Sequence, residues 1–189
     1  MARPFDPAVD RAIEAAALRL LTERGFAGMS MEAIATAAGV GKPAIYRRFR
    51  NKAALVATVV AAQLPELDPP DLGDTRAELQ QAVAQAFPAD GPAYVGLIGG
   101  LIAEQHRHPE LIEAFRRSVL LPRRAIALAL IERGQERGDL RSNLHPEDAL
   151  DLLAGPFLAR VFAGLDTGPR WRARSFATWW DIISEGSDP

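Results

Sequence analysis

Between Lys42 and Lys52 the chain sets five cations, Lys42, Arg47, Arg48, Arg50 and Lys52, and no carboxylate. Pro43, Ala44 and Tyr46 lie among them. Side chains of these types do no covalent chemistry together. The cations and the phenol donate hydrogen bonds to phosphate oxygens and base edges, and a small apolar side chain can meet a thymine methyl. The chain as a whole has a formal net charge of −2, so the run stands against its background. Residues 1–55 hold nine Lys or Arg against five Asp or Glu; the remainder holds thirteen against nineteen. That division describes one basic surface joined to an acidic body. The same run would also suit an ordinary solvated face, so the elements that carry it must decide.

Those elements read as helices. Val9, Ile13, Ala16, Ala17, Leu20 and Leu21 recur at helical spacing, and Gly25 ends that helix. Ser30 is a good cap for a short second helix, with Glu32 in its first turn and Met31, Ile34, Ala35 and Ala38 inward. Gly39 closes it, in a turn that a residue without Cβ enters freely. A third helix opens at Lys42-Pro43, where proline loses no needed bond, and ends near Phe49. A fourth spans about 52–64. Two short helices around a Gly turn, locked by Val40, Ile45 and Phe49, form a helix-turn-helix whose second member carries the basic run.

The stretch "MSMEAIATAAGVGKPAIYRRFRNKAAL", Met29 to Leu55, resembles the DNA-binding domain of the TetR family of bacterial transcriptional repressors. The resemblance rests on Ser30, Ile34-Ala35, Ala38-Gly39-Val40, Tyr46, Phe49 and Lys52, and covers about 50 residues. Gly41 departs from it, standing where Ser is common. The resemblance and the side-chain chemistry together give roles. Tyr46 and Lys52 are expected on phosphates, Lys42 on a guanine edge and Ala44 on a thymine methyl. Arg47 and Arg48 are expected on bases or backbone. Ser30 is a cap and phosphate donor, and Gly41 and Pro43 open the reading helix.

Beyond Leu64, "PELDPPDLGD" is a loop, and helices are predicted at about 75–87, 92–107, 109–137 with a break near Pro122, 146–164 and 170–185. The fold class expected is all-α, with a DNA-binding domain over 1–64 and a larger C-terminal helical domain over 75–189. The resemblance implies that this second domain binds an effector and dimerises. Phe87, Tyr94, Leu97, Leu101, Phe115 and Phe157 would line an apolar effector cavity, though they would equally fill a dry core. Ala154, Phe157, Leu158 and Val161, with Phe176, Trp179, Trp180 and Ile183, form the stripes expected to meet a second copy. Gly155-Pro156 should kink the first of those two helices.

Other chemistries find little support. There is no cysteine, which removes disulfides and thiolate sites. His106 and His108 are two apart and do not share a helix face; His145 is the one other histidine. Ser118 and Ser175 lack evident His and acid partners. No catalytic residue, metal or cofactor is expected. No signal sequence and no apolar run of membrane length is read, so the expectation is a cytoplasmic protein without a membrane partner. The partners expected are a palindromic DNA operator, a second copy in a homodimer, and a small-molecule effector. The function expected is a ligand-released repressor; the alternative is an effector-independent or co-assembling DNA-binding regulator.

Overall fold

The computed structural model describes residues 6–69, 71–86 and 98–186. The fold is all-α, and no strand forms among the described residues. Helix α1, Pro7–Arg24, is capped by Asp6, whose carboxylate accepts from the Ala8 N–H at 2.9 Å. Helix α2 is Met31–Ala37, α3 Lys42–Tyr46 and α4 Lys52–Ala62. Caps at Ser30 and Asn51 accept from Ala33 N at 3.1 Å and Ala54 N at 2.8 Å, which fixes where α2 and α4 begin. Next come α5, Thr75–Ala86, and α6 over 98–103. The chain continues with α7, Pro109–Phe115, α8, Leu121–Glu136, α9, Pro146–Phe162, and α10, Pro169–Ile183.

The break expected near Pro122 is a π turn, Arg116–Leu120, between α7 and α8. Leu121 N–H reaches back five residues to the Arg116 carbonyl. Proline offers no N–H to the carbonyl four residues before it, and a widened turn accommodates that loss. Pro156 lies inside α9, and the helix is continuous across it.

The chain divides into two compact units. The first holds residues 1–64 and 97–121, so α6 and α7 pack with the four N-terminal helices rather than with the rest of the segment 75–189. Its core joins Ile13, Ala17, Ile34, Ile45, Leu55 and Val56 to Leu101, Leu111 and Phe115. The second unit has its own core, built on Leu79, Ile131, Leu140, Leu150, Phe176, Trp179 and Ile183.

Two sets of expected residues are redistributed by this packing. Of the effector-cavity set, Leu101 and Phe115 are buried in the first unit, and Phe157 is buried in the second. Phe87, Tyr94 and Leu97 lie outside the described residues. Of the dimer set, Phe157, Phe176, Trp179 and Ile183 are buried within the chain's own second unit. Trp179 Nε1 donates to the Ala149 carbonyl at 2.8 Å, so it faces α9 of the same chain rather than a partner. Ala154, Val161 and Trp180 are half-buried, and Leu158 is exposed. Helix α9 is apolar on two faces, and periodicity alone does not tell which one the chain keeps for itself.

Candidate nucleic-acid interface

The α2–turn–α3 unit is built from backbone bonds at one glycine. Gly39 takes φ +67°, its N–H donates to Thr36 O at 3.1 Å, and Val40 N–H donates to Ala35 O at 2.9 Å. Ile45, wholly buried, pins α3 to the core, with Val40 and Phe49 packed partly against it. With that side of the five-residue helix spent, Gly41, Lys42, Pro43, Tyr46 and Arg47 are left exposed, and Ala44 is half-buried. These six are among the residues expected on DNA, and the fold brings them to one short surface. Ser30 Oγ accepts from the Ala33 N–H, which leaves its O–H free to donate.

Arg48 and Lys52 are placed differently from expectation. The Arg48 side chain is only 8% exposed; its Nε donates to Asp10 Oδ1 on α1, and Nη1 donates to the Ala44 carbonyl at 3.2 Å. It ties α3 to α1 instead of standing free for bases or backbone as expected. Lys52 Nζ donates to Phe26 O at 2.7 Å and Met29 O at 3.0 Å, and sits 4.1 Å from the centroid of the Phe26 ring. Burial lowers its pKa, against the opposing pull of Glu110 and Glu104. Two of its three donors therefore close the α1–α2 connection rather than wait for a phosphate. Both residues are cations in a basic run, and their sequence positions did not distinguish a tie to a neighbouring helix from a contact with DNA.

Lys52→Met keeps the apolar stem and removes both bonds. It should cost about 1–3 kcal/mol of stability by urea unfolding. The slope of log affinity against log salt should remain as in the parent protein. A slope lower by about one unit with unchanged stability would return Lys52 to the phosphate backbone.

One residue on this surface was not anticipated there. Glu32, in the first turn of α2, accepts from Tyr46 OH at 3.4 Å and pairs with Lys42 Nζ at 3.4 Å through the same carboxylate oxygen. Its pKa is lowered by its own backbone N–H and then by the Lys42 bond. The sequence showed Glu32 as a helix-start residue and held no sign that Lys42 and Tyr46 would converge on it.

Two family models match the chain. That of the bacterial regulatory proteins of the tetR family covers residues 13–59, and that of the tetracyclin repressor-like C-terminal domain covers 69–178. The chain belongs to the TetR family. The YdeS HTH-type transcriptional regulator of Bacillus subtilis, described as uncharacterized, is 34% identical over 168 residues, spanning 84% of this chain and 81% of that protein. A regulator of Mycobacterium bovis described in the same terms is 26% identical over 163 residues, spanning 84% and 80%. Among solved structures, the flavonoid-responsive regulator FrrA superposes with a TM-score of 0.69 at 23% identity, covering 96% of this chain and 100% of that one. This TetR-family chain is a helix-turn-helix transcriptional regulator and not an enzyme. The family model over residues 13–59 contains α2 and α3 whole. Among the described residues no helix is long and apolar enough to cross a membrane.

Proposed function

We propose that the protein is a repressor that binds a palindromic operator as a homodimer and is released by a small-molecule effector. The observation that carries the DNA half is the exposed set Gly41, Lys42, Pro43, Tyr46 and Arg47 on a helix pinned from behind by Ile45. Lys42 and Ala44 read base edges in the major groove, Tyr46 and Ser30 hold phosphates, and Arg47 serves either. Division of labour follows the chain: residues 1–64 bind DNA, and 75–189 dimerise and take the effector. Release requires an effector with different affinity for the DNA-competent and incompetent states.

Lys42→Ala tests the reading role. It should relax preference at one operator position at a cost of roughly 1–3 kcal/mol, measured by competition between single-substituted duplexes. Equal weakening on every sequence would reduce Lys42 to a phosphate contact.

The alternative, an effector-independent or co-assembling regulator, has one observation in its favour. The cavity lined by Val83, Leu153, Phe157, Trp171, Arg172, Ser175 and Phe176 in the second unit has a volume of about 20 Å³, room for a water rather than an organic ligand. Thermal shift against a panel of small aromatic and aliphatic compounds separates the two. The flavonoid-responsive relative makes planar aromatics a sensible first class. A compound that raises the melting temperature and dissociates the DNA complex supports release; specific DNA binding undisturbed by the whole panel supports the alternative.

A further inference from the structure

We propose that Glu32 is a specificity-determining residue, which holds Lys42 and Tyr46 away from DNA that offers no base contact to draw Lys42 off. The inference rests on the reading of α3 as the DNA-reading helix. A carboxylate on a surface meant for a polyanion weakens binding, so its presence there calls for a physical account. Glu32 is half-exposed, its side chain 46% accessible, and Lys42 is 63% accessible; neither is locked by packing. Both bonds to the carboxylate are long, at 3.4 Å, and converge on one oxygen. Contacts of that length and exposure are weak and give way to a stronger acceptor.

The two kinds of DNA present different acceptors. A guanine edge shows O6 and N7 together in the major groove, a site that takes a lysine ammonium. On such a sequence Lys42 changes partner and Tyr46 is freed for a phosphate. On a sequence without that edge, Lys42 stays on Glu32 and the interface loses one cation and one phosphate donor. Non-specific affinity depends mainly on the number of phosphates neutralised, so it is non-specific binding that Glu32 depresses most. Asp10, which holds Arg48 just past the end of α3, does not work this way. It keeps Arg48 in a buried tie, whereas Glu32 keeps its partners at the surface.

The test uses the full chain. A preferred duplex is first selected from a randomised pool, and a scrambled duplex of equal length serves as reference. Binding of the parent protein and Glu32→Gln is then measured on both across a range of salt. On the scrambled duplex Glu32→Gln should bind about tenfold more tightly, with the salt slope steeper by about one unit for each bound recognition helix. On the selected duplex the gain should stay below about threefold, so discrimination falls. In a Lys42→Met background the same Glu32 substitution should shift both duplexes equally, because the exchange has no cation to act on. Equal tightening of the single variant on both duplexes would overturn the proposal. So would weaker binding to the selected duplex with lost preference at one base pair, which would make Glu32 an acceptor for a cytosine amine. A pool that yields no preferred duplex defeats the regulator reading itself, whereas equal tightening defeats only the role of Glu32.

Discussion

Phe162→Arg should give a folded monomer whose affinity for a twofold operator falls toward its non-specific level, a loss of roughly 10³-fold or more. Phe162 is 78% exposed at the end of α9, more than any other large apolar side chain described. Leu152, Gly155, Ala159 and Phe162 share a helical face with Leu158 beside it, and all five are exposed. Leu165 and Ile182 are exposed as well. Isolated exposed apolar residues need no explanation, but a stripe of them on one helix face marks a surface that another molecule covers. Gly155 and Ala159 let a second helix approach closely. A second copy is the occupant proposed here, since a twofold dimer presents two recognition helices to half-sites one helical turn apart, about 34–36 Å. An Arg at 162 places a charge in that contact and touches nothing in the chain's own core. Sedimentation at micromolar concentration, circular dichroism and operator binding check the three parts. Phe157→Arg is the contrasting variant: Phe157 is 3% exposed, so a charge there is buried without a partner and should unfold the unit. A Phe162→Arg protein that sediments as a dimer would remove this face from the interface.

Glu78→Gln should cost about 3–5 kcal/mol, a large share of the stability of a domain this size. Glu78 is 1% exposed in α5. Its Oε1 accepts from the N–H groups of Leu72 and Gly73 at 2.7 and 2.9 Å. Its Oε2 accepts from Arg133 at 2.7 Å and Arg137 at 3.0 Å. Asp71 closes the network on the same two arginines. Burial alone would raise the carboxyl's pKa, but the bonds from Arg133, Leu72 N–H and Arg137 outweigh it and hold the value at about 2. Folding therefore lowers this pKa from an ordinary 4.5. Its contribution, about 3 kcal/mol by linkage, is complete above the ordinary value and is lost as pH falls through about 2. The three tryptophans, at 171, 179 and 180, all lie in the second unit, so their fluorescence follows its unfolding. Urea midpoints between pH 5 and 2 should fall steeply in the parent protein and much less in Glu78→Gln. An unfolding free energy at pH 7 within about 0.5 kcal/mol of the parent would show the network to be dispensable.

Much of the site was legible because it is local. Gly39 announces a positive-φ turn, Ser30 announces a cap, and Pro43 opens a helix, each through bonds within four residues in sequence. The spacing of Ile34, Val40, Ile45 and Phe49 then required α2 and α3 to pack, which left Lys42, Tyr46 and Arg47 outward. The fates of Arg48 and Lys52 were not legible. Their partners lie 38 and 26 residues away, at Asp10 and Phe26, and a cation's sequence neighbours do not say which distant acceptor the fold will bring to it.

The amino-acid sequence by itself determined the all-α class, the helix limits among the described residues to within a few positions, the helix-turn-helix and the family, because those follow from short-range periodicity, caps and breakers; the expected start of a helix at 92 lies outside the described residues. Only the tertiary structure decided which apolar face is core. Phe157, Phe176 and Trp179 turn inward while Leu152, Leu158 and Phe162 stay outside, though all six are large apolar side chains on α9 or α10. It also decided which charges are spent inside the chain: Glu78 on Arg133 of α8 and on Arg137 just beyond it, Arg48 on α1, and Glu32 on α3. Hydrophobicity and charge are properties of a residue, but burial and partnership belong to a pair, and pairs distant in sequence exist only once the chain has folded.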